Sequence, residues 1–185
     1  MEQTLEICRW VYNETLAMRK SAWEQEQRSI SYYESKRQIP LWKKEHPELS
    51  GVYSQVLQDV SMRVDLAFKA FFRRVKAGEN PGYPRFKGRG RYDSFTYPQY
   101  GFKLEGDHLH LSKIGDVKIV LHRPVEGTIK TLTIRRSSTG KWYACFSVEY
   151  DPSPLPQKET TVGIDVGLES FATLSNGEKI ENPRF

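Results

Sequence analysis

Apolar residues in the first half of the chain recur every three to four positions, which is the period of an α-helix with one buried face. Near the N-terminus this face comprises Leu5, Cys8, Tyr12, Leu16 and Trp23. A second and clearer stripe lies within residues 53–78, and it comprises Val56, Val60, Val64, Ala67, Phe68, Phe71 and Val75. The glycine that follows, Gly78, suits the end of a helix. The first half therefore predicts two long amphipathic helices.

The segment between these two stripes predicts a shorter helical stretch. Ser31 can cap a helix start, and Glu34 stands three residues later, which is the spacing of a capping box. Pro40 and Pro47 follow, and proline lacks the backbone donor that a helix interior needs. We expect a helix here that is short or kinked.

From Gly101 onward the apolar period changes to two, which is typical of strands. Short runs of this kind occupy residues 101–111, 116–122, 128–136 and 141–150, and turn sequences such as EGD and SSTG separate them. In the last run one face holds Trp142, Ala144, Phe146, Val148 and Tyr150. Consecutive short strands fit a small barrel or a curled sheet. Together with the helices they predict an α+β fold.

A proline-rich stretch, DPSPLPQKE at residues 151–159, predicts a linker after the last of these strands. Extended character then resumes in VGIDVG and SFATLS, and SNGE supplies a tight turn. Residues 161–180 therefore predict a β-hairpin that continues toward a third strand.

Positive charge is concentrated at the end of the second long helix and just after it. The chain carries +5 overall, but residues 63–91 hold nine Lys and Arg against Asp65 and Glu79. Residues 78–99, GENPGYPRFKGRGRYDSFTYPQ, interleave cations with aromatic residues, and their prolines and glycines exclude a regular helix. Such a segment can pair with phosphates and stack on bases. The alternative is a solvated loop whose aromatic side chains fix it to the protein body.

Other features limit the classes of function. No window reaches the roughly 18 apolar residues of a membrane helix, and the N-terminus MEQTLEICRW lacks the apolar core of a signal peptide. We therefore expect a soluble cytoplasmic protein with no membrane partner. Cys8 and Cys145 have no metal-binding spacing, and we interpret them as ordinary thiols. His108, His110 and His122 lack a neighbouring cluster of ligands, and we interpret them as surface or groove residues rather than metal ligands.

The motif GIDVG, at residues 163–167, places one carboxylate, Asp165, between Ile164 and Val166. A carboxylate in an apolar strand costs desolvation free energy, which a divalent cation would offset. Three interpretations stay open from these residues. Asp165 is a metal ligand of an RNase H-like nuclease, part of a phosphate loop like that of actin-like ATPases and sugar kinases, or an ordinary aspartate at a strand end.

The order of these features resembles the TnpB family, the OrfB-type proteins of insertion sequences, which are RNA-guided nucleases similar to type V CRISPR effectors. Predicted helices precede PGYPRFKGRGRYDSFTYP, the strand region follows, and VGIDVGLESFATLSNGEKI comes last. The resemblance implies a helical recognition domain at residues 1–80 and a basic-aromatic linker with a wedge-type β-barrel at 81–150. It also implies a linker at 151–160 and the first hairpin of a RuvC-like domain of RNase H fold at 161–185.

The resemblance further implies partners and site residues. The partners are a guide RNA and target double-stranded DNA, and the reaction is magnesium-dependent DNA cleavage. Asp165 matches the first catalytic aspartate of the RuvC-like domain, a Mg²⁺ ligand. Nucleic-acid contacts are expected from the basic-aromatic region, namely Arg73, Arg74, Lys76, Tyr83, Arg85, Phe86, Lys87, Arg89, Arg91, Tyr92, Phe95 and Tyr97. Further phosphate contacts are expected from the strand region, namely Lys113, Arg123, Lys130, Arg135 and Arg136.

Two departures from the family pattern limit what we expect of this chain. Family members begin with a strand of the type K-x-R-x-Y-P, whereas Met1 here falls inside the first predicted helix. The later glutamate, second aspartate and four-cysteine zinc ribbon of the family have no counterpart before Phe185, so zinc is expected only beyond this chain. We therefore expect a fragment that is inactive as a nuclease by itself. The alternative is a non-catalytic nucleic-acid-binding regulator or remnant of the same family, and the oligomeric state is left open.

Overall fold

Two long helices lie within residues 1–150 of the structure, a computed structural model that describes residues 1–152 and 161–183. Helix α1 (Glu2–Glu26) packs against helix α4 (Ser54–Lys76). Between them lie α2 (Tyr32–Arg37), α3 (Ile39–Glu45) and a 3₁₀ turn (Pro47–Gly51). The two predicted helices and the interrupted stretch between them are confirmed. No helix in the described ranges is long and apolar enough to cross a membrane.

Local hydrogen bonds and prolines determine where the short helices begin. The Ser31 hydroxyl accepts a hydrogen bond from the Glu34 amide at 3.2 Å, and the Glu34 carboxylate accepts one from the Ser31 amide at 2.9 Å. The predicted capping box is therefore confirmed. Pro40 and Pro47 stand in the first turns of α3 and of the 3₁₀ turn, where a missing backbone donor costs nothing.

Six strands after α4 form two antiparallel sheets. In chain order they are β1 (Ser94–Tyr97), β2 (Phe102–Glu105), β3 (His108–Leu111), β4 (Gly115–Lys118), β5 (Thr128–Arg136) and β6 (Trp142–Glu149). One sheet has the strand order β1-β5-β6, and the other has the order β2-β3-β4. An α+β fold is confirmed, while closure of these sheets into a barrel stays a prediction.

Strand β1 lies inside the segment where proline and glycine predicted irregular chain. Its register pairs Phe95 with Ile134 and Tyr97 with Leu132, all of which are buried. The alternation covers only four residues, and the partner strand β5 lies far along the chain. The sequence pattern alone therefore did not reveal this strand.

The core lies where α1 and α4 pack with the two sheets. The predicted faces of both helices are buried along most of their length, but not at their ends. Trp23 in the last turns of α1 is 53% exposed, and Ala22 is the buried residue there instead. Val75 near the end of α4 is 49% exposed. The expectation that Trp23 and Val75 belong to the core is therefore wrong.

Residues 151–185 form a second compact unit, separate from the unit of residues 1–150. Its described part holds β7 (Ile164–Asp165), β8 (Ser170–Leu174) and β9 (Lys179–Glu181) in one antiparallel sheet. The predicted hairpin and its third strand are confirmed. The predicted linker at 151–160 lies mostly outside the described residues. The division of the first unit into recognition and wedge domains stays a prediction.

Candidate nucleic-acid interface

Seven exposed cations follow one another at the end of α4 and in the loop after it. We call them the cationic row, and they are Arg73, Arg74, Lys76, Arg85, Lys87, Arg89 and Arg91. Within the described part of the chain, no carboxylate oxygen lies within 4.0 Å of their charged nitrogens. Neighbouring cations that lack a carboxylate partner attract a polyanion such as a nucleic acid strand.

A Schellman-type ending fixes how the chain leaves α4. Gly78 has a φ of +75°, a conformation that favours glycine. The Gly78 amide donates to the Val75 carbonyl at 3.0 Å, and the Glu79 amide donates to the Arg74 carbonyl at 3.0 Å. The predicted helix end is confirmed, and the cations of the last turns lie where the helix dipole is negative.

Two side chains of α1 hold the middle of the loop in place. The Lys87 amide donates to Asn13 Oδ1 at 2.8 Å, and Asn13 Nδ2 donates back to the Lys87 carbonyl at 3.0 Å. Arg9 Nη1 donates to the same carbonyl at 3.3 Å. The sequence pattern did not reveal Arg9 and Asn13, because nothing in a helical residue indicates a backbone partner 78 or 74 positions later.

A tight turn at residues 88–91 separates two cations of the row. The Arg91 amide donates to the Gly88 carbonyl at 3.1 Å, and Gly90 has a φ of +70°. This is the hydrogen bond of a β-turn with glycine at the position that requires a positive φ. Lys87 and Arg91 therefore flank the turn, and Arg89 lies at its tip.

Exposed aromatic rings accompany the cationic row. Tyr83 packs edge-on against Phe68 and Phe71 of α4, with ring centres 5.6 and 5.3 Å away, and it remains 42% exposed. Phe86 is 54% exposed. Phe72, which was not among the predicted contacts, is 59% exposed. A large apolar residue one position off the buried stripe of α4 is the signal that would have identified it.

Three other aromatic residues predicted to contact nucleic acid belong to the core instead. Tyr92, Phe95 and Tyr97 are 6%, 0% and 1% exposed. The Tyr97 hydroxyl donates to the Ser112 carbonyl at 3.0 Å, and burial raises the pKa of Tyr92 and of Tyr97. The expectation that these three rings stack on bases is therefore wrong. These three aromatic side chains instead fix the segment to the protein body, which was the alternative interpretation from the sequence.

Two cations counted in the basic segment of the sequence have structural roles. Arg63 Nε donates to Asp59 at 2.8 Å, and Arg63 Nη1 donates to the Ser94 carbonyl at 2.9 Å, which joins α4 to β1. Burial raises the pKa of Asp59, and Arg63 opposes this shift. Lys69 Nζ lies 2.9 Å from Asp65 Oδ2. Arg63 and Lys69 therefore already have carboxylate partners.

A cavity of about 260 Å³ lies beside the loop. It is lined by Tyr12, Arg63, Lys87, Arg91, Tyr92, Asp93 and Ser94. Two members of the cationic row, Lys87 and Arg91, thus belong to the wall of a recess. Arg85 and Arg89, on the same loop, are not part of that wall.

The five cations predicted in the strand region fall into two groups. Three contact carboxylates, namely Lys130 with Glu149, Arg135 with Asp93 and Arg136 with Glu2. Lys113 and Arg123 are exposed, and no carboxylate of the described residues lies within 4.0 Å of either. Lys113 and Arg123 are therefore the better placed of the five to bind a phosphate.

Asp165 lies on the two-residue strand β7 and is exposed, as are its neighbours Ile164 and Val166. The expectation that Asp165 pays a desolvation cost is therefore wrong. In residues 1–152 and 161–183, no three His, Cys, Asp or Glu side chains come together to hold a metal ion. The role of Asp165 as a Mg²⁺ ligand therefore stays a prediction.

Comparison with known proteins finds one matching domain family and two relatives that align with nearly the whole chain. Residues 1–28, which contain α1, match the helix-turn-helix domain of the IS605 OrfB type. In an alignment of 190 residues that covers 100% of the chain, the chain is 36% identical to a protein of Streptomyces pristinaespiralis. Over 179 residues and 94% of its length, it is 36% identical to InsQ of Escherichia coli (strain K12). The names of both relatives propose an RNA-guided DNA endonuclease, and the chain spans 46% and 43% of their lengths.

Proposed function

We propose that this chain is the nucleic-acid-binding part of an RNA-guided DNA endonuclease, because it is 36% identical to two proteins whose names propose that activity and because its residues 1–28 match the OrfB-type helix-turn-helix domain. In this proposal its partners are a guide RNA and target double-stranded DNA. Cleavage of DNA, with Mg²⁺ as the metal, is a property of a longer protein that contains this part.

The observation that carries this proposal is the cationic row, which lacks carboxylate partners in the described residues. Its helical members lie in the last turns of α4, just before the helix end at Gly78, and its loop members are held through the Lys87 backbone by Asn13 and Arg9. The exposed rings of Phe72, Tyr83 and Phe86 lie in the same segments. Cations supply the affinity for phosphates, and aromatic rings add stacking with unpaired bases, so single-stranded parts of an RNA are the best match.

Replacing Arg73, Arg74 and Lys76 together by alanine tests this proposal. RNA affinity should fall, and the slope of log affinity against log salt should flatten by about two, because each phosphate contact on a single strand contributes roughly 0.7. The matched control replaces Lys20, Lys103 and Lys118, which contact Glu24, Glu105 and Asp107. It removes the same charge and should leave the slope unchanged. Equal slopes for both variants would contradict the proposed interface.

The second candidate, a non-catalytic binder, is favoured by the surroundings of Asp165. A two-metal phosphodiesterase site requires several carboxylates, and Asp165 has no such cluster in the described residues. We therefore expect the purified chain, with a cognate guide RNA and Mg²⁺, to bind target DNA without cutting it. Robust cutting that Asp165→Ala abolishes would contradict this expectation, and the matched variant Glu169→Ala controls for loss of a nearby charge.

A further inference from the structure

The cavity beside the loop has an excess of positive charge at its wall. Arg63 is paired with Asp59 at 2.8 Å, and Arg135 lies 3.5 Å from Asp93, the one carboxylate that lines the cavity. The two other charged lining residues, Lys87 and Arg91, have no carboxylate within 4.0 Å in the described part of the chain. The recess therefore presents two cations to whatever enters it.

Arg63 also contacts two hydroxyl groups in the cavity wall and leaves their protons available for hydrogen bonding. Arg63 Nη1, which donates to the Ser94 carbonyl at 2.9 Å, also donates to the Tyr92 hydroxyl at 3.4 Å and to Ser94 Oγ at 3.3 Å, so three acceptors share its two hydrogens. Each hydroxyl thus acts as an acceptor toward Arg63, and its own proton is free to point elsewhere. Among the described residues neither proton has an acceptor. An acceptor inside the cavity would satisfy both.

The loop geometry brings the two cations to this place. The β-turn at residues 88–91 puts Lys87 before it and Arg91 after it, and both line the cavity, while Arg89 at the tip does not. Asn13 fixes the Lys87 backbone from α1, so little chain entropy remains to be lost when a ligand binds. The site is thus largely formed before any ligand arrives.

We propose that this cavity binds one phosphate group, held by Lys87 and Arg91 and by the hydroxyls of Tyr92 and Ser94. A phosphate offers several acceptor oxygens and negative charge, which matches two cations and two hydroxyl donors. The volume of about 260 Å³ is below the roughly 300–1,000 Å³ of sites for larger ligands, and it suits a phosphate with some water rather than a whole nucleotide. The inference deepens the proposed function, since a phosphodiester of a bound strand is the expected source.

Titration of the full chain with inorganic phosphate, followed by amide NMR at constant ionic strength, tests the site. The amides of Tyr92 and Ser94 should shift and saturate. Replacing Lys87 and Arg91 by alanine should weaken phosphate binding at least tenfold. The matched pair Arg85→Ala and Arg89→Ala removes the same charge from the same loop and should change it less than twofold. Absence of saturation, or equal losses in the two double variants, would overturn the proposal.

A third variant separates the hydroxyl from the ring. Tyr92→Phe keeps the buried aromatic packing and removes one donor, and it should weaken phosphate binding severalfold while the chain stays folded. Unchanged affinity would overturn the assigned role of that hydroxyl.

Short RNA oligonucleotides with and without a 5′-phosphate identify the source of the group. If both shift the Ser94 amide, the cavity takes an internal phosphodiester, and if only the phosphorylated one does, it takes a terminal phosphate. If neither does while free phosphate saturates the site, the phosphate site stands and a strand as its source is overturned. The Arg73, Arg74 and Lys76 variant reports on surface RNA binding separately, so failure of the cavity and failure of the proposed function are distinguishable.

Discussion

At the scale of single residues, arginines of one helix serve different purposes. Arg63 and Arg73 both lie on α4, but Arg63 is part-buried and bonded to Asp59 and to β1, whereas Arg73 is exposed. Arg63→Ala should lower the free energy of unfolding by about 3 kcal/mol, because it leaves Asp59 without its partner. Arg73→Ala should change it by less than about 0.5 kcal/mol. Urea unfolding measures both, and similar effects would contradict the assignment of Arg63 as a structural residue.

A buried ion pair between α1 and α4 predicts a pH dependence of stability. Arg19 Nη1 lies 2.9 Å from Asp65 Oδ1, and both side chains are largely buried. Burial acts to raise the pKa of Asp65, but hydrogen bonds from Lys69 and Arg19 outweigh it and lower the pKa. The pair therefore contributes its full stability above the pKa of an unfolded aspartate, about 4, and loses it as pH falls through the lower folded value.

Asp65→Asn should therefore destabilise the protein at neutral pH by about 3 kcal/mol and flatten the decline of stability below pH 4. Unfolding by urea at several pH values measures this. Glu24→Gln removes an exposed ion pair with Lys20, and it should leave the decline of stability below pH 4 as it is in the wild type. If Asp65→Asn left the decline of stability below pH 4 unaltered, Asp65 would have its ordinary pKa in the folded protein.

The sequence alone predicted which cations are exposed, but it did not predict which aromatic residues are buried. The cations of the row were predicted because they cluster in the sequence. They also cluster in the structure, because residues adjacent in a loop stay close together. The aromatic residues were harder, since Tyr83 and Tyr92 look alike in sequence. Only the pairing of β1 with β5 decides that Phe95 and Tyr97 turn inward, and no local pattern reports a partner that distant.

At the scale of elements, the turn at residues 88–91 gives the loop its shape. Gly90 has a φ of +70°, and a methyl group added there would meet nothing within 4 Å, so Gly90→Ala is disfavoured by the backbone conformation alone. It should cost about 1 kcal/mol of stability and weaken RNA binding by disordering Lys87 and Arg91. Gly88→Ala, where a methyl group would meet Arg91 Cδ at an ordinary 3.7 Å, should do neither. Equal effects at both glycines would show that the turn does not organise the loop.

Periodicity predicted the long elements well and the short one poorly. Helices α1 and α4 and strands β5 and β6 repeat their pattern often enough for one face to be recognisable. Strand β1 has four residues, and its flanking prolines and glycines suggest a loop just as strongly. The ends of α1 and α4 were also misjudged, because the apolar stripe continues in sequence to Trp23 and Val75, which are exposed.

At the scale of the whole molecule, the two units differ in how much apolar surface they bury. Ala172 is the buried apolar residue among 161–183, while Ile164, Val166 and Phe171 are each more than half exposed. Native-state hydrogen exchange of the chain should therefore find β8 amides exchanging orders of magnitude faster than those of Val60 in α4. Protection of β8 comparable to that of Val60 would contradict this expectation.

The central claim is that the cationic row binds nucleic acid, and the salt dependence of RNA affinity tests it most directly. A variant with alanine at Arg85, Lys87, Arg89 and Arg91 is compared with one that loses the same charge at Lys20, Arg28, Lys103 and Lys118, each of which contacts a carboxylate. We expect the first to flatten the slope of log affinity against log salt by roughly three, and the second to leave it unchanged. A slope that both variants reduce equally, or that neither changes, would contradict the claim.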